Sequence, residues 1–125
     1  MLLYDLLSDL VKIDDILLIV KSQGAVSEVR SNSLGIRQKE KWIIIGENEG
    51  PAHMHVDSET IKTAEFVEEE KPNRTSFSVR FFDRNGERVL AAFFTKMYDE
   101  TKSPDLKRKE LYYKLRQKYS SKIQF

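Results

Sequence analysis

Apolar residues at both ends of the chain recur with helical spacing. Near the amino terminus, polar residues such as Asp5 and Asp9 alternate with leucines at intervals of three and four, and we expect this amphipathic helix to end near Ile13. At the other end, Ser103-Pro104-Asp105 predicts a helix start, with a capping side chain, a proline at the first helical position and an acid in the first turn. The predicted apolar stripe of that helix is Leu106, Leu111, Tyr112, Leu115 and Tyr119.

Between the two predicted helices, short runs of β-branched and aromatic residues alternate with turn residues. The runs predict strands at residues 16–20, 25–30, 34–38, 42–45, 52–56 and 61–69, the last of them an edge or partly exposed strand. Two further β-rich runs flank Asn85-Gly86, a dipeptide that tolerates the positive φ values of a tight hairpin turn. In the first arm of that hairpin, Phe77, Val79 and Phe81 should share one face.

The order of these elements predicts an α+β fold. No helix lies between successive strands, so the crossovers that parallel pairing requires are missing. We therefore expect a largely antiparallel β-sheet meander flanked by an N-terminal and a C-terminal helix. With 125 residues, the chain has the usual size of one domain, and we expect a single domain over residues 1–125.

Composition excludes several classes of function. The chain has no cysteine, which removes disulfides, zinc-thiolate sites, Fe–S clusters and thiol catalysis. The net charge is only +1, and the basic residues of the C-terminal helix complement its dipole, so we do not expect nucleic-acid binding. There is no basic leader and no apolar run near the ~20 residues that span a bilayer. We therefore expect a cytoplasmic protein without a membrane segment.

Both histidines of the chain lie in one predicted strand, where His53 and His55 would project from the same face. Two imidazoles on one face can share a metal or a cofactor, or they can lie in solvent above a packed sheet. The spacing from His53 through His55 to Glu59 also matches the first metal motif of cupins, although no later histidine follows to complete it. Glycine-rich phosphate loops and a nucleophile elbow are absent, which favours binding over catalysis.

Three segments taken together resemble the bacterial haem-utilisation proteins of the HemS and ChuX type. They are "WIII", "AHMHVDSETI" and "SFSVRFFDRNGERVLAAFFTK", within a likeness that runs over about residues 16–115. His55 and Ile61 keep the separation of the family's apolar-His-apolar step from a following isoleucine. Phe82-Asp83, Gly86 and Phe93-Phe94 fit the family's hairpin.

The resemblance implies a unit that long members carry twice and short members pair as a homodimer. It also implies haem, or a related tetrapyrrole, in a cleft beside the sheet, with an axial histidine and basic side chains near the propionates. For this chain the implied ligands are His55 and His53, and Arg30 and Arg37 are the implied propionate partners. The sequence departs from the family at Val29, which falls where the axial histidine of longer members would align. An interaction or structural module that has lost the cofactor is therefore the alternative.

Overall fold

The structure is a computed structural model that describes residues 1–125, with two helices and nine strands. The helices are α1 (Leu2–Val11) and α2 (Leu106–Tyr119). The strands are β1 (Ile16–Lys21), β2 (Val26–Arg30), β3 (Ile36–Lys39), β4 (Trp42–Gly46), β5 (His53–Asp57), β6 (Thr63–Lys71), β7 (Arg74–Phe82), β8 (Arg88–Phe94) and β9 (Lys122–Gln124). All pairings between strands are antiparallel, so the predicted α+β class is confirmed.

The strands form two sheets where the sequence suggests one meander. A six-stranded sheet has the order β2-β1-β8-β7-β6-β9, and a three-stranded sheet has the order β3-β4-β5. The chain leaves the larger sheet at buried Ser31, whose hydroxyl donates to the carbonyl of Ile13 and accepts from the N–H of Ile16. These bonds satisfy the backbone at the turn, and β3 then begins a separate sheet. The predicted strand at residues 61–69 is partly exposed, as one of the two alternatives expected. It is not an edge strand, because the unpredicted strand β9 pairs with the first residues of β6.

The core lies between the helices and the inner faces of both sheets. The predicted common face of Phe77, Val79 and Phe81 is confirmed, since all three are buried in one apolar cluster. The opposite face of the six-stranded sheet, called here the outer face, is not covered by a helix. Leu17 and Phe93 are paired across β1 and β8 on this outer face and are only half-buried.

The N-cap of α2 lies two residues later than predicted. Asp105, not Ser103, is the N-cap, and its carboxylate accepts from the backbone N–H groups of Lys107 and Arg108, both at 3.1 Å. Pro104 lies before the helix and forms an isolated bridge with Tyr98. The acid therefore satisfies the free N–H groups of the first turn directly, in addition to complementing the helix dipole.

The predicted apolar stripe of α2 is wrong for two of its leucines. Leu106 is 74% exposed and Leu111 is 40% exposed, whereas Tyr112 and Tyr119 are buried. The tyrosines combine a large apolar ring with a hydroxyl that needs a partner in the interior. Tyr112 donates to the backbone carbonyl of Ser78 at 3.2 Å, so the helix faces the sheet through its tyrosines.

Asp9 joins α1 to the last turn of α2. Its carboxylate accepts from the ammonium of Lys118 at 2.7 Å and from the hydroxyl of Tyr119 at 2.6 Å. Burial raises the pKa of Asp9, but these hydrogen bonds and the nearby positive charge outweigh burial and hold the pKa below its ordinary value. Burial, followed by the hydrogen bond to Asp9 and its negative charge, raises the pKa of Tyr119 to about 12.

We expect Asp9→Asn to lower the free energy of unfolding by about 1 kcal/mol at pH 7, a modest value because Lys118 is 61% exposed. The folded pKa of Asp9 is depressed, so its contribution is complete above the unfolded pKa of about 3.9 and disappears as pH falls through the folded value. Urea unfolding of both proteins from pH 7 down to about pH 2 measures this. Asp5→Asn, on the exposed side of α1, is the control. A difference that persists at the lowest pH would contradict the assignment.

Candidate functional site

The two histidines lie on β5, an edge strand of the three-stranded sheet. His53 pairs with Gly46 and His55 with Ile44, so both side chains point to the sheet face that lies away from the core. Both are exposed, and their ring centroids are 5.6 Å apart. The prediction that the two imidazoles share one face is confirmed.

Trp42 and Asp57 flank the histidines on the same face. The Trp42 ring lies edge-on to His55 with centroids 6.3 Å apart, and it is 38% exposed. Lys41 places its ammonium 3.4 Å from the carboxylate of Asp57 and 5.1 Å from the centre of the Trp42 ring. Burial raises the pKa of Asp57, but the hydrogen bond from the backbone N–H of Glu59 and the ammonium of Lys41 together lower it by more. The pKa therefore lies below its ordinary value. The carboxylate is therefore already partnered.

The cupin-like spacing does not produce a three-ligand metal site. Glu59 lies in the exposed turn that follows β5, and its backbone N–H donates to the side chain of Asp57. The strand ends before Glu59, so the alternation that would keep it on the face of His53 and His55 is lost. Across residues 1–125, no group of three or more His, Cys, Asp or Glu side chains is arranged to hold a metal ion.

The two predicted arginines lie in different sheets. Arg37 is opposite Ile44 on β4, which is opposite His55 on β5, so Arg37 and His55 lie on one face about 10 Å apart at the usual strand spacing. Arg37 donates to the carbonyl of Gly46 at 3.2 Å. Arg30 ends β2 in the larger sheet and donates to the hydroxyl of Thr95 at 3.2 Å, away from the histidines in the fold.

A cleft of about 720 Å³ opens on the outer face of the six-stranded sheet. Its floor is apolar and includes Leu17, Ile19 and Phe93. One wall is the β6–β7 hairpin, and the other is the segment that follows β8. The cleft is lined by four basic residues, Lys71, Arg74, Lys96 and Lys102. No acidic residue lines it.

Two of these cations are free of carboxylate partners. Lys71 lies 3.6 Å from Glu69, and Lys96 lies 3.3 Å from Asp15. Arg74 and Lys102 form no ion pair. Since both free cations are also exposed, they can bind an anion without first breaking an ion pair.

Tyr98 ties the two walls of the cleft together. Its hydroxyl accepts a hydrogen bond of 2.9 Å from the backbone N–H of Thr75 in the opposite wall. The neighbouring Met97 is buried, and both residues line the cleft. Methionine and tyrosine are two of the side chains that can bond haem iron. Sequence reasoning missed this cleft because its residues come from separate strands and loops, and no local pattern marks them.

The fold is an α+β fold of the HemS and ChuX type. A family model matches residues 4–122, and the chain belongs to that family, whose fold is the HemS and ChuX type.

Three solved structures illustrate the similarity. The heme binding protein ChuX matches with a TM-score of 0.76 and 11% identity, over 91% of this chain and 70% of that chain. Holo-PhuS, a heme-binding protein from Pseudomonas aeruginosa, matches with a TM-score of 0.70 and 15% identity, over 88% and 31%. ChuS, an E. coli heme oxygenase, matches with a TM-score of 0.69 and 16% identity, over 91% and 34%. No curated protein sequence matches the chain. Neither α1 nor α2 is long and apolar enough to cross a membrane.

Proposed function

We propose that the protein binds haem or a related anionic tetrapyrrole in the cleft on the outer face of the six-stranded sheet. The observation that carries the proposal is the pairing of an apolar floor with an entirely basic set of charged lining residues. A tetrapyrrole of this kind has a flat apolar ring and carboxylates at one edge, so the floor and the cations match its two parts. The cleft volume of about 720 Å³ falls in the usual range for small-molecule sites.

Within the cleft, Arg74 and Lys102 would receive the carboxylates, and the half-buried rings and aliphatic side chains of the floor would contact the macrocycle. Met97 and Tyr98 are the lining residues able to bond iron. The proposal is binding, with no catalytic step. It agrees with the descriptions of ChuX and PhuS as heme-binding proteins, although this chain spans only about a third of PhuS.

The face that carries His55 is a second place where the same ligand could bind. His55 remains the predicted axial ligand, with His53 beside it and Arg37 placed across Ile44 to meet a propionate. This face is open and lacks the walls of the cleft, which is why we favour the cleft. Arg30 remains a predicted propionate partner only for a ligand in the cleft, because it belongs to the larger sheet and donates to Thr95, one of the cleft residues.

A hemin titration tests the proposal. We expect a saturable Soret shift, and we expect Arg74→Glu/Lys102→Glu to weaken binding about 10-fold or more because it replaces two attractive charges with repulsive ones. Lys107→Glu/Lys122→Glu makes the same change in net charge outside the cleft and should leave the affinity nearly unchanged. His55→Ala should also retain the shift. If His55→Ala abolishes the shift and the cleft variant does not, the ligand binds at the three-stranded sheet and the cleft assignment is wrong.

The alternative is an interaction or structural module without a cofactor. It is favoured by the absence of any histidine among the cleft residues and by Val29, which pairs with Leu18 where the family's axial histidine would align. No Soret shift in the wild-type chain would support this alternative. We also propose that the chain forms the homodimer that the family resemblance implies. Sedimentation of the same samples should give twice the mass of one chain, and a single-chain mass would contradict it.

A further inference from the structure

We infer that His53 and His55 form a two-imidazole binding site for a divalent transition-metal ion on the exposed face of β5. Both side chains are exposed, they belong to one strand, and neither ring has a carboxylate within ion-pair distance. The inference does not depend on haem binding, since it concerns the ion alone.

The separation of the rings fits one shared ion. Alternate residues of a strand are attached about 6.7 Å apart, yet these ring centroids are 5.6 Å apart, so the imidazoles lean towards each other. Two imidazoles bound to one tetrahedral ion through bonds of about 2.1 Å place their centroids about 5 Å apart. A small side-chain rotation therefore brings one nitrogen of each ring to a common ion.

The chemistry of the donors selects the class of ion. Imidazole nitrogens suit Cu²⁺, Ni²⁺ and Zn²⁺, whereas Mg²⁺ and Ca²⁺ prefer oxygen ligands. Asp57, the acid at the end of β5 on this face, is held by Lys41, and no third His, Cys, Asp or Glu side chain completes the set. The ion would therefore keep positions open to water. Among ions on such a site, Cu²⁺ should bind most tightly.

The chain contains its own reporter for this site. Trp42 is the only tryptophan, and its ring centroid is 6.3 Å from that of His55. A Cu²⁺ ion held by the two imidazoles would lie close enough to quench the indole emission. Loss of fluorescence therefore reports occupancy of this face, and binding elsewhere on the chain has a weaker effect.

The test is a titration of the hemin-free full chain with CuCl₂, followed by tryptophan fluorescence. We expect saturable quenching at one ion per chain, and weaker binding by about 10-fold or more in both His53→Ala and His55→Ala. Met54→Leu, between the histidines but on the core side of β5, should bind as the wild type does. Calorimetry with Ni²⁺ and Zn²⁺ should show weaker binding that is lost in the same two variants.

Quenching that does not saturate, or that survives unchanged in either histidine variant, would overturn the inference. Far-UV circular dichroism of each variant verifies the fold, and asparagine replacements at the same positions provide a second set in which the side chain stays polar. Because the titrant is the metal ion alone, the outcome is separate from that of the hemin titration.

Discussion

Tyr112→Ala is expected to lower the free energy of unfolding by about 3–5 kcal/mol, the usual cost of removing a large aromatic side chain from a packed core. Tyr112 is fully buried where α2 meets the six-stranded sheet. Its ring contacts Phe77 and Phe94 edge-on with centroids 5.1 Å away, and Phe66 at 5.5 Å. The substitution would leave a cavity that rigid strands on one side cannot close.

Tyr112→Phe separates the hydroxyl from the ring. Burial raises the pKa of Tyr112, with a smaller effect from Glu68, so the hydroxyl remains a donor to the Ser78 carbonyl throughout the working pH range. Its removal leaves that contact unmade and should cost about 1 kcal/mol. Leu111→Ala, at the exposed neighbouring position, should cost less than Tyr112→Ala by several-fold. Urea unfolding of the three variants measures the series, and an equal loss for Leu111 and Tyr112 would contradict the packing described.

The class of the fold could be predicted because it depends on local patterns. Alternating apolar residues identify strands and their buried faces, and the Asn85-Gly86 dipeptide identifies the β7–β8 hairpin. Of these two residues only Gly86 has positive φ in the structure, and Asp83 organises a longer loop by accepting from the N–H of Asn85 and of Glu87. The hairpin was therefore predicted correctly and its turn was not.

The division into two sheets could not be predicted, since it depends on contacts between distant parts of the chain. β1 pairs with β8, so that Leu18 lies opposite Ala92, and nothing near either residue identifies the other. Similarly, Ile123 is buried although its strand has only three residues, because β6 offers it an edge. Periodicity shows which face of a strand is apolar, but it does not show which strand lies alongside.

The candidate sites likewise differ in whether they depend on local sequence or on contacts between distant residues. His53 and His55 could be placed on one face from their spacing, because they belong to one strand. The cleft could not be found from the sequence, because its residues come from distant parts of the chain. Its floor comes from β1 and β8, and its two walls are connected by the hydrogen bond between Thr75 and Tyr98. Arg37 reaches the face of His55 only through the intervening strand β4, so its position depends on a register that sequence alone does not provide.

Gly46→Ala is expected to lower the free energy of unfolding by about 2–4 kcal/mol, since it combines backbone strain with a steric overlap. Gly46 ends β4 with a φ of +89°, which side chains of L-residues rarely adopt. A Cβ atom there would also overlap the backbone carbonyl oxygen of Ala52 and press on the Cα atom of His53 at 3.0 Å. Both neighbours are backbone atoms, so they cannot move aside without disturbing the pairing of β4 with β5.

The same change should reach the metal site, because His53 is the residue paired with Gly46. We expect Gly46→Ala to weaken Cu²⁺ binding as well as stability, by shifting His53 relative to His55. Gly24→Ala is the matched control: no atom lies within 4 Å of a Cβ built there and its φ is not positive, so stability should be unchanged or higher by up to about 1 kcal/mol. Urea unfolding and the copper titration are run on both variants. If Gly46→Ala is as stable as Gly24→Ala, the end of β4 can relax around the added Cβ atom. In that case the close approach of Gly46 to β5 does not fix the position of His53.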